Sequence, residues 1–521
     1  MDGPGLDDTV PAGTPIPGVL REAGSLPGGP LRERAVDIAL GRDDAAPLDA
    51  FLTETDTARA LAAWFGPESP FLRATPDRIR AAIDRDIARI DELLSDQVNA
   101  ILHHRRFQRL EASWRGVAFL TGQVEGMEDV IIRVLNAGWA ELSRDFERAI
   151  EFDQSQLFQK IYSEEFGMPG GLPYGVLVCD YAVTHKPTKE RPTDDIACLK
   201  GLSQVAAAAF APAIVGADPA LFGLETFREM GLPIDLKTAF RHAEYQRWQR
   251  FQQSEDARFL GIVLPRVLMR PPYPDNASTR FGFRYRENAG GMRLEEHCWG
   301  NAVYAFCSVL VRAYAQYGWF ADIRGAQRDV VGGGLVDGLP VPWFATDEPE
   351  LALKFGAEVA ISDRLEKDLD DLGFVSLNRC KDTPFLVFYG NQSVQRTQTY
   401  DTLAATANAK LSSMLRYMFC IARFAHYLKV QVRDRVGSFI TPEKCEQDLQ
   451  KWLHGFCLGN DDASIHQKAR YPLREAWVQV RESPGKPGNY LCIIHLRPHF
   501  QLDQVFSTFK LVTELAQTSP G

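Results

Sequence analysis

The most regular pattern of apolar positions in the chain lies in residues 76–104. Ile, Leu and Val recur there at spacings of three and four, as on one face of an α-helix, over about three heptads. Thr75 and Pro76 suit the N-cap and the first turn of such a helix. The stripe packs either within its own chain or against a partner's helix, and the pattern leaves both open. Its members are Ile79, Ile83, Ile87, Ile90, Leu94, Val98 and Ile101.

A shorter helical pattern covers residues 31–40, between Pro30 and Gly41. The residues before it, 1–30, are rich in Pro and Gly and poor in large apolar side chains. Such a segment cannot bury enough surface to offset its ordering entropy, so we expect a disordered N-terminal arm. Residues 31–116 are then predicted to be a helical region built around the long helix.

Strand-like and helix-like stretches alternate through residues 117–435. The apolar run at residues 130–135 predicts a buried strand, and the run at 407–434 predicts one long helix. This alternation predicts a layered α/β core of one or two subdomains. Further strands are expected at 175–181, 213–217 and 259–264, and further helices at 139–149, 195–211 and 301–317.

The last part of the chain, residues 436–521, changes character. Residues 474–481 alternate apolar and polar, a Pro/Gly-rich turn follows at 483–488, and residues 490–497 are apolar on both faces. This pattern predicts a β-hairpin, with another strand at 506–512. Because the second strand is apolar on both faces, something must cover both of them. An isolated hairpin is marginally stable in water, so further strands are expected to pair with it. The predicted fold class is therefore α/β, with a helical N-terminal region and a C-terminal hairpin.

The amino-acid composition is that of a globular protein, and it argues against some classes of function. The 521 residues include 58 Lys and Arg against 68 Asp and Glu, a net charge of −10, which is unlike a general nucleic-acid binder. Nine Cys without a CxxC pair predict free thiols in a reducing compartment. The longest apolar run, 205–217, is shorter than the about 20 residues that a membrane helix needs. We therefore expect a cytoplasmic protein with no membrane insertion.

Candidate chemistry is sparse. The sequence has no GxxxxGK[ST], GxSxG or HExxH motif. His103 and His104 diverge on a helix, and His495 and His499 are separated by Pro498 in a strand context, so neither pair has metal-ligand spacing. We predict no catalytic residue, no metal site and no cofactor.

Nine short stretches, in the same order, resemble one family of proteins: the large subunit of the type VI secretion contractile sheath, the TssC/VipB family. None is diagnostic alone, but together they span residues 107–500. They are FQRLEASWRG at 107–116, GLETF at 223–227, Phe251 with SEDAR at 254–258, LPR at 264–266, WGN at 299–301 with Ala305 and Phe306, SDR at 362–364, SVQ at 393–395, RFAHYLK at 423–429 and LRPHF at 496–500.

The resemblance implies a structural protein without a catalytic site. In that family a large and a small sheath subunit, of the TssB/VipA type, form heterodimers that stack as a helical polymer. The polymer surrounds an inner tube of the Hcp type, contracts to propel it, and contacts baseplate components. A ClpV-type AAA+ ATPase then disassembles the contracted sheath.

The resemblance also implies two interaction surfaces on this chain, and the apolar stripe of residues 76–104, if it does not pack within its own chain, is a candidate for a third. The stripe Ile83, Ile87, Ile90, Leu94 and Val98 would contact small-subunit helices. The C-terminal strands would be open to augmentation by strands of neighbouring subunits. The ATPase handle is expected near the N-terminus, where the sequence departs most from the family. The strand-pairing candidates are Trp477, Val478, Val480, Leu491, Ile493 and His495, and the handle candidates are Val19, Leu20, Leu31, Val36 and Ile38.

Two other classes of protein stay open at this point. One is the sheath protein of another phage-tail-like contractile system, which is usually a single polypeptide that assembles without a small partner. The other is a cytoplasmic α/β enzyme whose site is assembled from scattered loops, for which a deep pocket with convergent polar groups would be the distinguishing feature.

Overall fold

The computed structural model divides into two compact units. Unit 1 comprises the residues up to Gln108 together with Pro272–His297, and unit 2 comprises Arg109–Pro271 and the residues from Cys298 onward. The predicted N-terminal arm and the predicted turn at 483–488 lie outside the described residues, apart from Pro30. The structure describes residues 30–39, 41–189, 191–273, 282–285, 287, 293–326, 331–342, 355–380, 383, 385–398, 400–433, 442–460, 462–482, 490–499 and 509–515.

Unit 1 is helical, as the sequence predicts. Pro76 starts the longest helix, and Thr75 occupies the N-cap position, although its side chain makes no capping hydrogen bond. Asp56 does cap a shorter helix, because its side chain accepts a hydrogen bond from the backbone N–H of Arg59. The helices of unit 1 are α1 Leu31–Ala39, α2 Ala46–Thr53, α3 Thr57–Phe65 and α4 Pro76–Leu102.

Unit 2 contains a mixed six-stranded sheet and twelve further helices, counted over the described residues. Short 3-10 turns lie between several of them, and a π-helical stretch, Gln159–Phe166, follows α7 directly. Two helices occupy the region where one long helix was predicted, because the chain breaks at Ser413 and Met414. The helices are α5 Arg105–Gln123, which begins in unit 1, α6 Trp139–Arg148, α7 Gln156–Phe158, α8 Asp195–Ala208, α9 Leu236–Ala239, α10 Gln246–Gln252, α11 Val303–Tyr317, α12 Asp363–Asp371, α13 Leu403–Ser412, α14 Leu415–Arg433, α15 Pro442–His454 and α16 Ile465–Arg470.

The large sheet has the strand order β1-β2-β3-β7-β8-β6. Strands β1, β2, β3 and β7 run parallel, and β8 pairs antiparallel with both β7 and β6. A second sheet at the C-terminus has the order β11-β10-β9, and β4 pairs with β5. The strands are β1 Leu177–Val183, β2 Ala213–Ala217, β3 Leu260–Leu264, β4 Val267–Arg270, β5 Cys298–Gly300, β6 Leu335–Val336, β7 Val375–Arg379, β8 Leu386–Phe388, β9 Leu473–Glu482, β10 Tyr490–Pro498 and β11 Phe509–Leu515.

The central strands of the large sheet are buried on both faces. Val215 and Ile262 belong to the apolar cluster that contains α8, whereas Ile214 and Val263 belong to the cluster that contains α11. Helices therefore cover both sides of β2 and β3, which explains why these strands read as continuous apolar runs. The predicted layered α/β class is confirmed.

Residues 130–135 do not form the buried strand that their sequence predicts. They have no regular secondary structure, and Ile131, Val134 and Leu135 are exposed by 67%, 65% and 53%. β1 is instead the edge strand of the sheet, with β2 as its neighbour. The prediction of a buried strand was wrong because no other strand of the described chain pairs with this segment.

Candidate subunit interface

Helix α4 carries its apolar stripe on an exposed face. Ile87, Leu94 and Ile101 are 50%, 42% and 47% exposed, although these residue types usually lie inside a globular fold. Their stripe neighbours Ile83, Ile90 and Val98 are half-buried. Unit 1 therefore leaves much of the predicted partner stripe open to solvent.

Polar side chains instead attach α4 to the rest of unit 1. Buried Asp86 accepts hydrogen bonds from Arg32 and from the indole of Trp64, both at 3.0 Å. Buried Asn99 accepts a hydrogen bond from the hydroxyl of Tyr285 at 2.7 Å. These bonds offset the cost of burying the polar groups. The periodicity located the apolar stripe but gave no sign that polar residues would be the buried ones.

The same attachment continues past the end of α4. The His103 ring nitrogen Nε2 lies 3.1 Å from the carboxylate of Glu287, whose other oxygen accepts the backbone N–H of Tyr273 at 2.6 Å. Glu287 is buried, and these two contacts offset part of the cost of burying its carboxyl group. The orientation of α4 is thus fixed by hydrogen bonds along its length, while its apolar side chains contribute less to the fold of unit 1.

The C-terminal sheet places β10 between two other strands of the same chain. Ile493 is in register with Gln479 of β9 on one side and with Val512 of β11 on the other. Both backbone edges of β10 are therefore used inside the chain. On one face Cys492, Ile494 and Leu496 pack into a cluster with α14 and α15. The candidates Ile493 and His495 thus have no free backbone edge in the described sheet, and the side chain of the third β10 candidate, Leu491, lies outside the described residues.

Side chains of α15 cover the outer edge of β9. The backbone N–H of Val478 donates to the Gln450 side chain at 2.7 Å, and that of Val480 donates to Glu446 at 2.8 Å. The Gln450 amide also donates to the carbonyl of Ala476 at 2.8 Å. These groups would otherwise be open to pairing with another strand. Sequence analysis missed this cover, although Glu446 and Gln450 stand four residues apart on one helical face.

The start of β9 is covered in another way, by the chain segment that follows α15. The backbone N–H of Leu458 donates to the carbonyl of Leu473 at 2.8 Å, and the N–H of Leu473 donates to the carbonyl of Phe456 at 3.2 Å. The outer edge of β9 is therefore bonded at Leu473, Ala476, Val478 and Val480. In the described sheet this leaves β11 as the strand with one neighbour, β10.

An aromatic pair marks the outward face of the same sheet. Trp477 stacks on the ring of His495 with centroids 3.6 Å apart and planes 10° apart, and Trp477 is 46% exposed. The other β9 candidates differ, since Val478 is buried and Val480 is half-buried. The sequence-predicted candidates therefore divide between an outward aromatic surface and the core. Partly exposed Trp and Tyr are the side chains that most often anchor protein interfaces.

The candidates for an ATPase handle are only partly accessible. Leu31 and Ile38 on α1 are buried, and Val36 is half-buried. Val19 and Leu20 lie outside the described residues. An ATPase that gripped α1 by its apolar residues would first have to separate that helix from unit 1.

Buried titratable groups in unit 2 are inert rather than catalytic in character. Burial raises the pKa of the Cys307 and Cys420 thiols to about 12, so these side chains stay protonated. Burial lowers the pKa of His426 to about 4, and its Nε2 lies 2.9 Å from the carbonyl of Ala209. No group of three or more His, Cys, Asp or Glu side chains suited to a metal ion occurs among the described residues. Across the same residues, every helix is too short or too polar to span a bilayer.

Comparison with known proteins decides the family. A family model for the EvpB/VC_A0108 tail sheath N-terminal domain matches residues 84–395, and a model for the tail sheath gpW/gp25-like domain matches residues 404–515. The chain belongs to the EvpB/VC_A0108 tail sheath family. It is 39% identical over 437 residues to the type VI secretion system sheath protein TssC1 of Pseudomonas aeruginosa, an alignment that covers 83% of this chain and 86% of that protein.

Membership of the tail sheath family confirms the resemblance to the large subunit of type VI secretion sheaths. This is a family of structural sheath proteins, not of enzymes, so the α/β enzyme alternative is excluded. The boundary between the two matched domains falls between residues 395 and 404, at the entrance to α13.

Several motif residues of the sheath family make internal contacts in unit 2. Asp180 on β1 accepts hydrogen bonds from Ser113 on α5 at 2.5 Å and from Tyr304 on α11 at 2.8 Å. Gly116 lies against the Tyr304 ring so closely that an added Cβ would overlap it. On α14, Lys429 lies 3.6 Å from the centroid of the Phe166 ring. The motif residues Ser113, Gly116 and Lys429 therefore contribute to the packing of unit 2.

Proposed function

We propose that this chain is the large subunit of a type VI secretion contractile sheath. It forms a heterodimer with a small sheath subunit, and the heterodimers polymerise in the cytoplasm around an inner tube of the Hcp type. Contraction of the polymer propels the tube. The observation that supports this proposal, beyond family membership, is the apolar stripe on α4, of which Ile87, Leu94 and Ile101 are 42% to 50% exposed, as a surface for a partner would be.

The α4 stripe is proposed to pack against helices of the small subunit. Ile87, Leu94 and Ile101 repeat at an interval of seven residues, which is the spacing of one position in a coiled-coil seam. A partner helix would bury the exposed half of each of these side chains at about 1 kcal/mol each, estimated from apolar transfer free energies. This gain is one part of the binding free energy, and other contacts of the heterodimer must supply the rest.

The C-terminal sheet is proposed to contact neighbouring subunits in the polymer. The outer edge of β9 is covered by α15, so strand addition is expected at the outer edge of β11, and the Trp477–His495 pair is expected to anchor the contact through its exposed face. Such a contact joins two different surfaces. Repetition of a heterologous contact that does not close produces a helical filament.

Recycling is proposed to involve a ClpV-type AAA+ ATPase that engages the chain near its N-terminus. Because Leu31 and Ile38 are buried in unit 1, we expect engagement to begin with residues before α1, including Val19 and Leu20. Deletion of residues 1–29 should then abolish capture by the ATPase and leave sheath assembly intact. Baseplate components are proposed as further partners, at the end of the polymer.

The test of the proposed function is negative-stain microscopy of this chain co-expressed with its cognate small sheath subunit. We expect hollow helical filaments from the pair and none from either chain alone. Filaments formed by this chain alone would indicate a single-polypeptide sheath of the phage-tail type. A co-purified pair that never forms filaments would contradict the proposed function.

A further inference from the structure

Residues 130–135 form the most unusual surface segment of unit 2. Four of its six side chains, Ile131, Ile132, Val134 and Leu135, are large, apolar and exposed by 37% to 67%. Within the part of the chain that the structure describes, residues 128–137 make no backbone–backbone hydrogen bond. We name residues 130–135 the orphan segment. Its composition is that of a strand, and no strand of the described residues pairs with it.

The surroundings hold the orphan segment at the edge of the large sheet. The hydroxyl of Tyr181 on β1 donates to the carbonyl of Ala137 at 2.5 Å, directly after the segment. Arg133 pairs with Glu165, and its guanidinium lies 5.8 Å from the centroid of the Tyr174 ring. The segment is therefore tethered at its middle and at its end, while its backbone remains available.

We propose that the orphan segment is a second strand-addition site, and that an extended segment of the small sheath subunit occupies it. This inference rests on the proposed function. Apolar side chains occur at both odd and even positions, so both faces of a strand formed here would be apolar. A docked helix would cover one face and leave the backbone groups unpaired. An added strand supplies backbone hydrogen bonds and flanking side chains together.

Acidic residues next to the orphan segment indicate which side chains the occupying strand should carry. Glu125, Glu128 and Asp129 are exposed just before the segment, and none of them forms an ion pair among the described residues. The occupying strand should therefore be β-branched and apolar, with Lys or Arg at the end that meets these carboxylates. The orphan segment itself offers one basic residue, Arg133, which is already paired with Glu165.

A second copy of this chain is a poorer occupant than a small subunit. Pairing of the orphan segment with itself would be an isologous contact, which closes after two copies. It would also bring the three carboxylates of one copy close to the segment of the other, whose one basic side chain, Arg133, is already paired with Glu165. A strand from a different polypeptide avoids both problems.

The first test is hydrogen exchange of the full-length chain, measured in the purified heterodimer with the cognate small subunit and in assembled filaments. We expect amides of residues 130–136 to exchange about 100-fold more slowly in the heterodimer than in the chain alone. Protection that appears only in filaments would assign the segment to a neighbouring copy and overturn the proposed occupant. Fast exchange in both assemblies would overturn the strand-addition site, even if filaments form and the proposed function stands.

The second test is a pair of adjacent proline substitutions, Ile131→Pro and Ile132→Pro. Neither N–H makes a hydrogen bond inside the described chain, so neither change removes a bond that stabilises the fold. In a ladder with one partner strand, alternate N–H groups face that partner. We expect one variant to lose the small subunit in co-purification and the other to retain it, with Ile150→Pro, at an exposed position outside the segment, as a control that retains it. Equal behaviour of the two variants would contradict strand pairing.

The third test addresses charge. The double substitution Glu128→Lys with Asp129→Lys should weaken heterodimer formation about tenfold at low salt and much less at high salt. The matched control is Glu151→Lys with Asp153→Lys, two exposed carboxylates elsewhere in unit 2. Unchanged affinity in the first variant would exclude a basic occupant.

Discussion

The Gln450 side chain accepts a hydrogen bond from the backbone N–H of Val478 at 2.7 Å and donates one to the neighbouring carbonyl of Ala476 at 2.8 Å. One amide group thus satisfies both a donor and an acceptor on the outer edge of β9, as a paired strand would. Glu446, one helical turn earlier, does the same for the N–H of Val480. The arrangement keeps β9 from pairing with unrelated strands.

Removal of this cover should expose the β9 edge. For the double variant Glu446→Ala with Gln450→Ala we expect the free energy of unfolding to fall by about 3 kcal/mol, since three hydrogen bonds are lost and each contributes about 1 kcal/mol. We also expect soluble aggregates, measurable by size-exclusion chromatography with light scattering. The matched control is Glu443→Ala with Gln447→Ala, which changes the same residue types at exposed positions of α15. Equal aggregation of the two double variants would show that the edge is not what the side chains protect.

The α4 stripe should be needed for partner binding and not for folding. The double variant Ile87→Glu with Leu94→Glu should lose co-purification with the small subunit, while its thermal unfolding changes little, because both positions are exposed. Ala81→Glu with Ala88→Glu provides a control with the same spacing on another face of α4. A stripe variant that still co-purifies at the level of this control would refute the proposed contact.

The buried carboxylate of Asp86 should stabilise unit 1. In Asp86→Asn the guanidinium of Arg32 loses its charged partner, and we expect the free energy of unfolding to fall by about 3 kcal/mol. Urea denaturation followed by Trp64 fluorescence would measure this, because the Trp64 indole contacts the same carboxylate. Asp84→Asn, two residues earlier and exposed, should have almost no effect. A similar loss in both variants would argue against the buried pair as the cause.

The stability of unit 2 should decrease in mild acid. Burial lowers the pKa of His426 to about 4 in the folded chain, against about 6.5 when the chain is unfolded. The neutral ring therefore contributes stability above pH 6.5, and this contribution is lost as the pH falls from 6.5 to 4. The loss amounts to about 3 kcal/mol.

Denaturation curves at several pH values would test the role of His426. His426→Gln should flatten the decline in stability between pH 6.5 and 4, and the exposed control His242→Gln should leave it unchanged. Part of the decline should persist in both variants, because burial also lowers the pKa of His185 in the same unit. A decline that is identical in wild type and His426→Gln would exclude His426 as a source.

The sequence predicted the structure best where the surface that covers an apolar segment belongs to the same chain. The continuous apolar runs at 213–217 and 259–264 located β2 and β3, whose two faces are covered by other residues of the same chain. Each of these patterns describes a surface that a segment must bury. Where the chain itself provides the opposite surface, the pattern and the structure agree.

Two features could not be predicted because the pattern does not say which polypeptide supplies the covering surface. Residues 130–135 have the composition of a buried strand and lie exposed, and α4 buries Asp86 and Asn99 while Ile87 and Leu94 face solvent. The edge cover of β9 was missed for another reason. It depends on hydrogen bonds from two side chains of α15 to the backbone of a strand more than 25 residues later. The pattern of hydrophobic residues does not predict such hydrogen bonds.

The exposed isoleucines and leucines of α4 have a consequence for the cell that makes this protein. A chain without its partner subunit exposes an apolar surface that will bind chaperones, proteases or other copies of the same chain. Copies of this chain that find no partner subunit should therefore be degraded quickly. The amount of the partner subunit then determines how much of this protein accumulates.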